Sequence, residues 1–371
     1  MPENLNIPDH KKLKAIYLVI VLHTMQIGVG IAGHPRVVFL ESGRDSFISI
    51  LIAAIALHIV IACIVYVLRS FDGQDLHGIL AQFFGKWFGK LITFLFIIYF
   101  FLLFISVLVN YIEFVHAFIF PDMSSWFISL CLLSLVLYAV LGGVRVAVGA
   151  CIVFFFGSVW MFGLLIEPIT YIQYDNYLPM FEASPRELMS GALKTSYTII
   201  GFELLWFLYP YLKDKNKVHR YSQLAMSLTI LSVLFITFVS IGFYSNNQLE
   251  DKIWPLLSTI KIISFPMFER FDIVTVALWM IIILPNLILF CWMTSMSAKR
   301  VFGGKENYYM ITVCSLAFIA HYFFDSRYNV NFFTNYVGQA GVIFGFVVPI
   351  LLVPFAMYYR RKGAKQHAKQ S

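Results

Sequence analysis

The chain has 371 residues, of which 60% are hydrophobic and 13% charged, and its mean hydropathy is +0.80. No ordinary soluble domain reaches those values, and no polar stretch is long enough to fold outside a bilayer, so a water-soluble enzyme is excluded and an all-α polytopic membrane protein is predicted. The net charge of +7 sits in short loops, where it suits anionic lipid headgroups and gives no support to nucleic-acid binding.

Apolar windows of about 20 residues, enough to cross about 30 Å of hydrocarbon, recur along nearly the whole chain, whereas a membrane barrel would alternate polar and apolar positions. They predict about ten transmembrane helices, at residues 13–33, 46–68, 89–118, 125–142, 146–168, 188–211, 221–245, 271–297, 307–325 and 333–359. The first run follows Lys11, Lys12 and Lys14 as a signal peptide would. Its length, its interruption by Gln26 and the lack of a small-residue cleavage site make it a retained span. Residues 76–90 mix Leu and aromatics with Gln82, Lys86 and Lys90, the pattern of an amphipathic helix lying in the interface. Residues 253–268, with Trp254-Pro255 and Phe265-Pro266, predict a short helix pair over the extracytoplasmic end, serving as a lid or as packing. With the N-terminus inside, 19 of the 27 lysines and arginines fall on cytoplasmic segments, and the positive-inside rule puts both termini in the cytoplasm. Residues 1–371 thus read as a single integral membrane domain.

The five cysteines, Cys63, Cys131, Cys151, Cys291 and Cys314, lie in apolar segments without metal-ligand spacing, and read as packing residues. His23, His58 and His321 are isolated, and read as core or interface histidines. No metal or other cofactor is expected. A nucleophile with its base, a nucleotide loop and a metal cluster are all missing from the sequence, so no enzymatic activity is expected.

A shift of 173 residues carries Gly28 onto Gly201 and the first span onto the sixth. The two halves, roughly 13–168 and 188–359, then hold five spans each and run in opposite directions, an arrangement of transporters built from inverted repeats. The first span of each half is interrupted by glycine: Gln26-Ile-Gly28-Val29-Gly30 in one and Gly201-Phe202-Glu203 in the other. Glycine costs about 1 kcal/mol in a helix, and amides freed by unwinding in mid-membrane must face a ligand or water; the alternative is that the glycines only permit close helix packing. Half-helix N-termini suit a carboxylate and C-termini suit an ammonium or a cation, so a small zwitterion such as an α-amino acid matches both. Glu203 is an ionisable group in an apolar span and a functional candidate on that ground. It either binds the ammonium or takes up a proton, or else pairs structurally with a buried donor such as Lys194 or a tyrosine hydroxyl. Ser106, Asn110 and Glu113 form one polar stripe at helical spacing, with Glu113 near the helix end. Pro285-Asn286 marks a kink, and Asn286 is a candidate to line a cavity.

The set Gln26-Ile-Gly-Val-Gly-Ile31 with Pro35-Arg36, Gly43-Arg-Asp45, Gly201-Phe-Glu203 with Pro210, Trp254-Pro255 and Phe268-Glu-Arg-Phe-Asp272 resembles the B subunit of bacterial spore nutrient-germinant receptors. These form a branch of the amino acid-polyamine-organocation transporter superfamily, and the resemblance covers about residues 10–360. It implies a leucine-transporter-like five-plus-five fold and a nutrient sensor of the spore inner membrane that works beside an A subunit and a lipoprotein C subunit. The implied pocket lies among helices one, three, six and eight, which carries onto Gly28, Val29, Gly30, Gly201, Phe202, Glu203, Asn110 and Asn286. Its ligand is a small germinant, with an amino acid as the class the broken helices suit. The alternative is a proton-coupled amino-acid permease with Glu203 as the proton carrier.

Overall fold

A computed structural model describes residues 7–71, 73–263, 271–324 and 326–367. Among them the regular structure is helical, apart from one isolated bridge between Leu13 and Leu212. Helices α1 (Tyr17–Gln26) and α2 (Gly30–Ser42) are the two parts of the first predicted span; α3 (Ser46–Ser70), α4 (Leu76–Phe118), α5 (Ser125–Leu141) and α6 (Val144–Ser158) follow, and α6 runs through a 3-10 stretch, Val159–Leu165, into α7 (Ile166–Ile169). The second half opens with α8 (Pro185–Thr198) and α9 (Leu205–Leu208), again one span in two pieces. It continues with α10 (Val218–Phe243), the short α11 (Asn246–Asp251) and α12 (Pro255–Ile260), then α13 (Phe271–Phe302), α14 (Glu306–Ala320) and α15 (Arg327–Gly341), which a π-helical turn joins to α16 (Val348–His367). Among the described residues six helical stretches are long and apolar enough to cross a membrane. The broken pairs and the shorter α5 and α14 supply the remaining spans.

The packing repeats itself between the halves. Helix α3 packs on α10, and α4 on α13, at the centre of the bundle. The contact of α3 with α8 is mirrored by that of α10 with α1, α4 with α15 by α13 with α6, and α1 with α6 by α8 with α15. This is the five-plus-five inverted arrangement, and it brings the two interrupted spans side by side.

Local signals set the boundaries. Ser184 and Glu187 form a reciprocal capping box at the start of α8, with Pro185 in its first turn; the Ser184 amide and hydroxyl hold the Glu187 carboxyl below the usual range. Asp75 caps α4 by accepting from the Gly78 amide at 2.9 Å and also takes a 2.8 Å bond from Arg300 at the end of α13. Gly85, at φ 79°, divides α4. The amphipathic piece predicted over 76–90 is therefore the shorter 76–84, and the long segment begins before residue 89. Helix α2 runs nine residues past the predicted end at 33, because its polar His34 is satisfied inside the bundle, 3.2 Å from Thr195 Oγ1 and 3.4 Å from Thr237 Oγ1. Asp45 is buried and accepts from the Phe181 and Ala183 amides at 2.6 and 2.8 Å, tying the loop before α8 to the start of α3. His23 and His58 are also held within the bundle, by Thr229 and Gln223. Phe265-Pro266 and Phe268-Glu-Arg-Phe-Asp272 lie outside the described residues and side chains.

Candidate functional site

The first break begins where α1 ends. Ile27 is extended (φ −90°, ψ 104°), and the helix resumes at Gly30. The Ile27 carbonyl, which an unbroken helix would use internally, instead accepts from Asn286 Nδ2 of α13 at 3.2 Å. That approach requires glycine at 28, since a Cβ there would lie 2.8 Å from Asn286 Nδ2.

The second break turns at Gly201, whose φ of 118° is open to glycine and costly for other residues. A Cβ at this position would also lie 2.7 Å from the Met25 carbonyl oxygen, so the two breaks touch. They are clamped as well: Gln26 donates through Nε2 to the Ile199 carbonyl at 2.7 Å and accepts at Oε1 from Thr229 at 2.9 Å. The first span thus satisfies part of the second's freed backbone through Gln26, and α13 satisfies part of the first's through Asn286, which is the accounting hydrocarbon demands.

Around the first break lies a cavity of about 530 Å³. Gly28, Val29, Gly30, Asn110 and Asn286 line it, together with Lys194, Tyr197 and Thr198 of α8 and Arg327 and Thr334 of α15. Asn110 spends its amide hydrogens on the Ser106 carbonyl (2.8 Å) and Thr334 Oγ1 (2.7 Å). Asn286 is 2% exposed, and its Oδ1 has no partner among the described residues. An unmet buried acceptor costs about 1–3 kcal/mol, so this oxygen calls for a donor from an occupant of the cavity. Trp254 covers one end, with Arg327 stacked 3.9 Å from its ring centroid and Phe114 edge-on at 4.7 Å. Glu113 lies at the same end, 4.0 Å from Arg327. Outside the cavity lining Leu13, ahead of α1, bridges the second span, its amide donating to Tyr211 O at 2.7 Å and its carbonyl accepting from Lys213 at 3.0 Å.

Gly201, Phe202 and Glu203 are not in the cavity lining. The Glu203 carboxylate is fully buried and caps its own break: Oε2 accepts from the Gly201 amide and Oε1 from the Tyr99 hydroxyl, both at 2.7 Å. Its structural partner is thus a tyrosine hydroxyl, and Lys194 faces the cavity instead. Phe202 is buried edge-on against Phe346 at 5.2 Å. The expected eight residues therefore divide into five around the cavity and three that shape the second break. Sequence reading did not single out Tyr197, Thr198, Arg327 or Thr334; the polar spacing of Asn331, Thr334 and Asn335 in an apolar span was the available signal.

Two broken helices from opposite halves, meeting beside a cavity that several polar side chains line, define the leucine-transporter-like class of membrane protein. Solved structures share this fold. Mhp1, a nucleobase-cation-symport-1 family transporter with bromovinylhydantoin bound, superposes with a TM-score of 0.64 at 11% identity, over 92% of this chain and 78% of that one. MhsT in complex with L-phenylalanine gives 0.64 at 13% identity, over 91% and 88%.

Sequence comparison narrows the class. Residues 12–330 match the spore germination protein family, and the chain is 33% identical over 349 residues to spore germination protein GerQB of Bacillus cereus, covering 93% of this chain and 96% of GerQB. The chain belongs to the spore germination protein family, a membrane family with a transporter fold.

Proposed function

We propose that this chain is the ligand-binding membrane subunit of a nutrient-germinant receptor, and that its ligand is a small amino acid held at the first helix break. The observation that carries the reading is the unpartnered Asn286 Oδ1 beside the glycine break. The first amides of α2 lack intrahelical acceptors and sit at the positive end of a helix dipole, which favours a carboxylate. Asn286 Oδ1 is an acceptor for the ammonium, and Asn110 supplies a further carbonyl. Gly28, Val29, Gly30, Asn110 and Asn286 are the contact residues in this reading; Gly201, Phe202 and Glu203 position the second break against the first. Occupancy stabilises one arrangement of the paired breaks, and that population shift is passed to an A subunit and a lipoprotein C subunit in the spore inner membrane. Both termini are then cytoplasmic, and the whole chain is one membrane domain of two inverted repeats near 13–168 and 188–359.

The test is retention of labelled L-alanine, L-asparagine and L-glutamate by proteoliposomes holding the purified chain, with a proton gradient on and off. Retention saturating near one ligand per protein and indifferent to the gradient supports the receptor. Continued accumulation that collapses with the gradient makes the chain a permease instead, and retention at the level of empty liposomes refutes the amino-acid reading.

A further inference from the structure

We infer that the cavity selects a ligand bearing an acidic group at the end remote from the helix break, and that Lys194 is the residue that selects it. The inference rests on the amino-acid reading above and names the class of amino acid.

Among the described residues three cations line the cavity, Arg36, Lys194 and Arg327, and no aspartate or glutamate does. Two of the three are already engaged. Arg36 donates through Nε to the Glu250 carbonyl, and Arg327 is stacked on Trp254 with its charge paired to Glu113 at 4.0 Å, although its Nε and Nη1 have no hydrogen-bond partner among the described residues. Among the described residues the Lys194 ammonium has no carboxylate or carbonyl partner; it rests only over the Tyr197 ring, 5.4 Å from the centroid. The nearby carboxylate of Glu41 accepts instead from the Ser190 hydroxyl, one turn further along α8. A lysine in a transmembrane bundle without a counter-charge is costly, and such residues mark ligand paths.

Its placement fits one end of a bound ligand. Thr198, one turn from Lys194 on the same face of α8, meets Gly30 in ordinary contact, 3.6 Å from where a Cβ would stand. Four residues of helix rise about 6 Å, so Lys194 stands about that far from the break toward the Trp254 end. An amino acid with its carboxylate at the α2 amides and its ammonium at Asn286 directs its side chain along α8. The second carboxylate of a four- or five-carbon dicarboxylic amino acid then comes within reach of the lysine. A cationic side chain would meet three positive charges and no carboxylate in the lining. A neutral one would leave Lys194 unmet, as it is now.

The experiment is competition binding in proteoliposomes, with L-aspartate, L-glutamate, L-alanine and L-lysine as competitors, on the wild-type chain and on Lys194→Met and Lys194→Glu. The expected order is acidic over neutral by roughly tenfold or more, the scale of one charge-assisted hydrogen bond, with L-lysine weakest. Lys194→Met flattens the order to within about twofold. Lys194→Glu admits L-lysine, a gain of binding that only a folded protein can show. Alanine binding as tightly as glutamate to the wild type, or an acidic preference that survives Lys194→Met, overturns the inference and leaves the amino-acid reading standing. Saturable binding of none of the four overturns both.

Discussion

Glu203 offers the sharpest test of how the second break is held. Its carboxylate accepts 2.7 Å bonds from the Gly201 amide and the Tyr99 hydroxyl at a site without solvent exposure. Glu203→Leu leaves both donors buried without an acceptor, at about 1–3 kcal/mol each. The expected loss of about 2–6 kcal/mol is a large share of the roughly 5–15 kcal/mol that holds a typical protein folded. Glu203→Gln keeps one acceptor oxygen for the Gly201 amide and can donate its NH2 to the Tyr99 hydroxyl oxygen, so it should lose less than half as much. Tyr99→Phe removes one donor and leaves the carboxylate its bond to the amide. Because Glu203→Leu and Tyr99→Phe each delete the same hydrogen bond, the double variant should be less destabilised than the sum of the singles by about 1–2 kcal/mol, as contacting partners are. Thermal unfolding in detergent, followed by tryptophan fluorescence, measures the wild type and all of these variants. Additivity within about 0.5 kcal/mol would refute the pairing. A Glu203→Gln protein with unchanged stability and an amino-acid affinity lowered more than tenfold would show that the carboxylate contacts the ligand.

Three further outcomes follow from the geometry. Gly201→Ala should fail to accumulate as folded protein, since its φ of 118° and a Cβ 2.7 Å from Met25 O conflict with the touching breaks, whereas Gly30→Ala meets Thr198 at an ordinary 3.6 Å and should melt within a few degrees of wild type; size-exclusion profiles and melting curves distinguish them. Asn286→Leu removes the donor to Ile27 O and the free acceptor together, and should lower amino-acid retention in proteoliposomes by tenfold or more, about 1.4 kcal/mol; retention at the wild-type level would remove Asn286 from the site. Asp45→Ala frees the Phe181 and Ala183 amides, so limited proteolysis should cut between residues 170 and 184 several-fold faster than in the wild type, with the helical core intact.

Composition and apolar windows made the class of protein legible, and the matching glycines made the paired breaks legible, because each reports a local requirement: hydrocarbon length in one case, backbone freedom in the other. Gly28 and Gly201 carry their reasons in their own residue type. Glu203 does not. Its sequence context says only that an ionisable group in an apolar span needs a partner, and both a ligand and a structural donor meet that need. The decision falls to Tyr99, 104 positions away and separated by several helices, which no local pattern connects to it. The same limit hid Lys194: residue type marks a cation in a span, and only the packing of α8 against α2 and α15 shows that it faces the cavity without the carbonyl or carboxylate that Arg36 and Arg327, which also line it, have in Glu250 and Glu113. Helix ends were misplaced for a related reason, since buried His34 is a polar residue that reads as a boundary until Thr195 and Thr237 are brought beside it.

The paired breaks also bear on the difference between reporting a ligand and carrying it. Residues 13 and 212, which backbone bonds flanking Leu13 hold together, belong to the same two segments that are broken beside the cavity. Gln26 to Ile199 and Met25 to Gly201 couple those segments directly at the breaks, so an occupant that draws the amides of residues 28–30 toward itself pulls on both. If the Leu13 bridge holds, the strain appears as a changed arrangement of α1 and α9 at a closed surface, which a neighbouring subunit can read. If it opens, the cavity empties to the other side and the protein transports. A receptor and a permease can therefore share every residue of the binding site and differ in the strength of this one closure, which places the distinguishing mutations in residues 11–14 and 211–213 and not around the ligand.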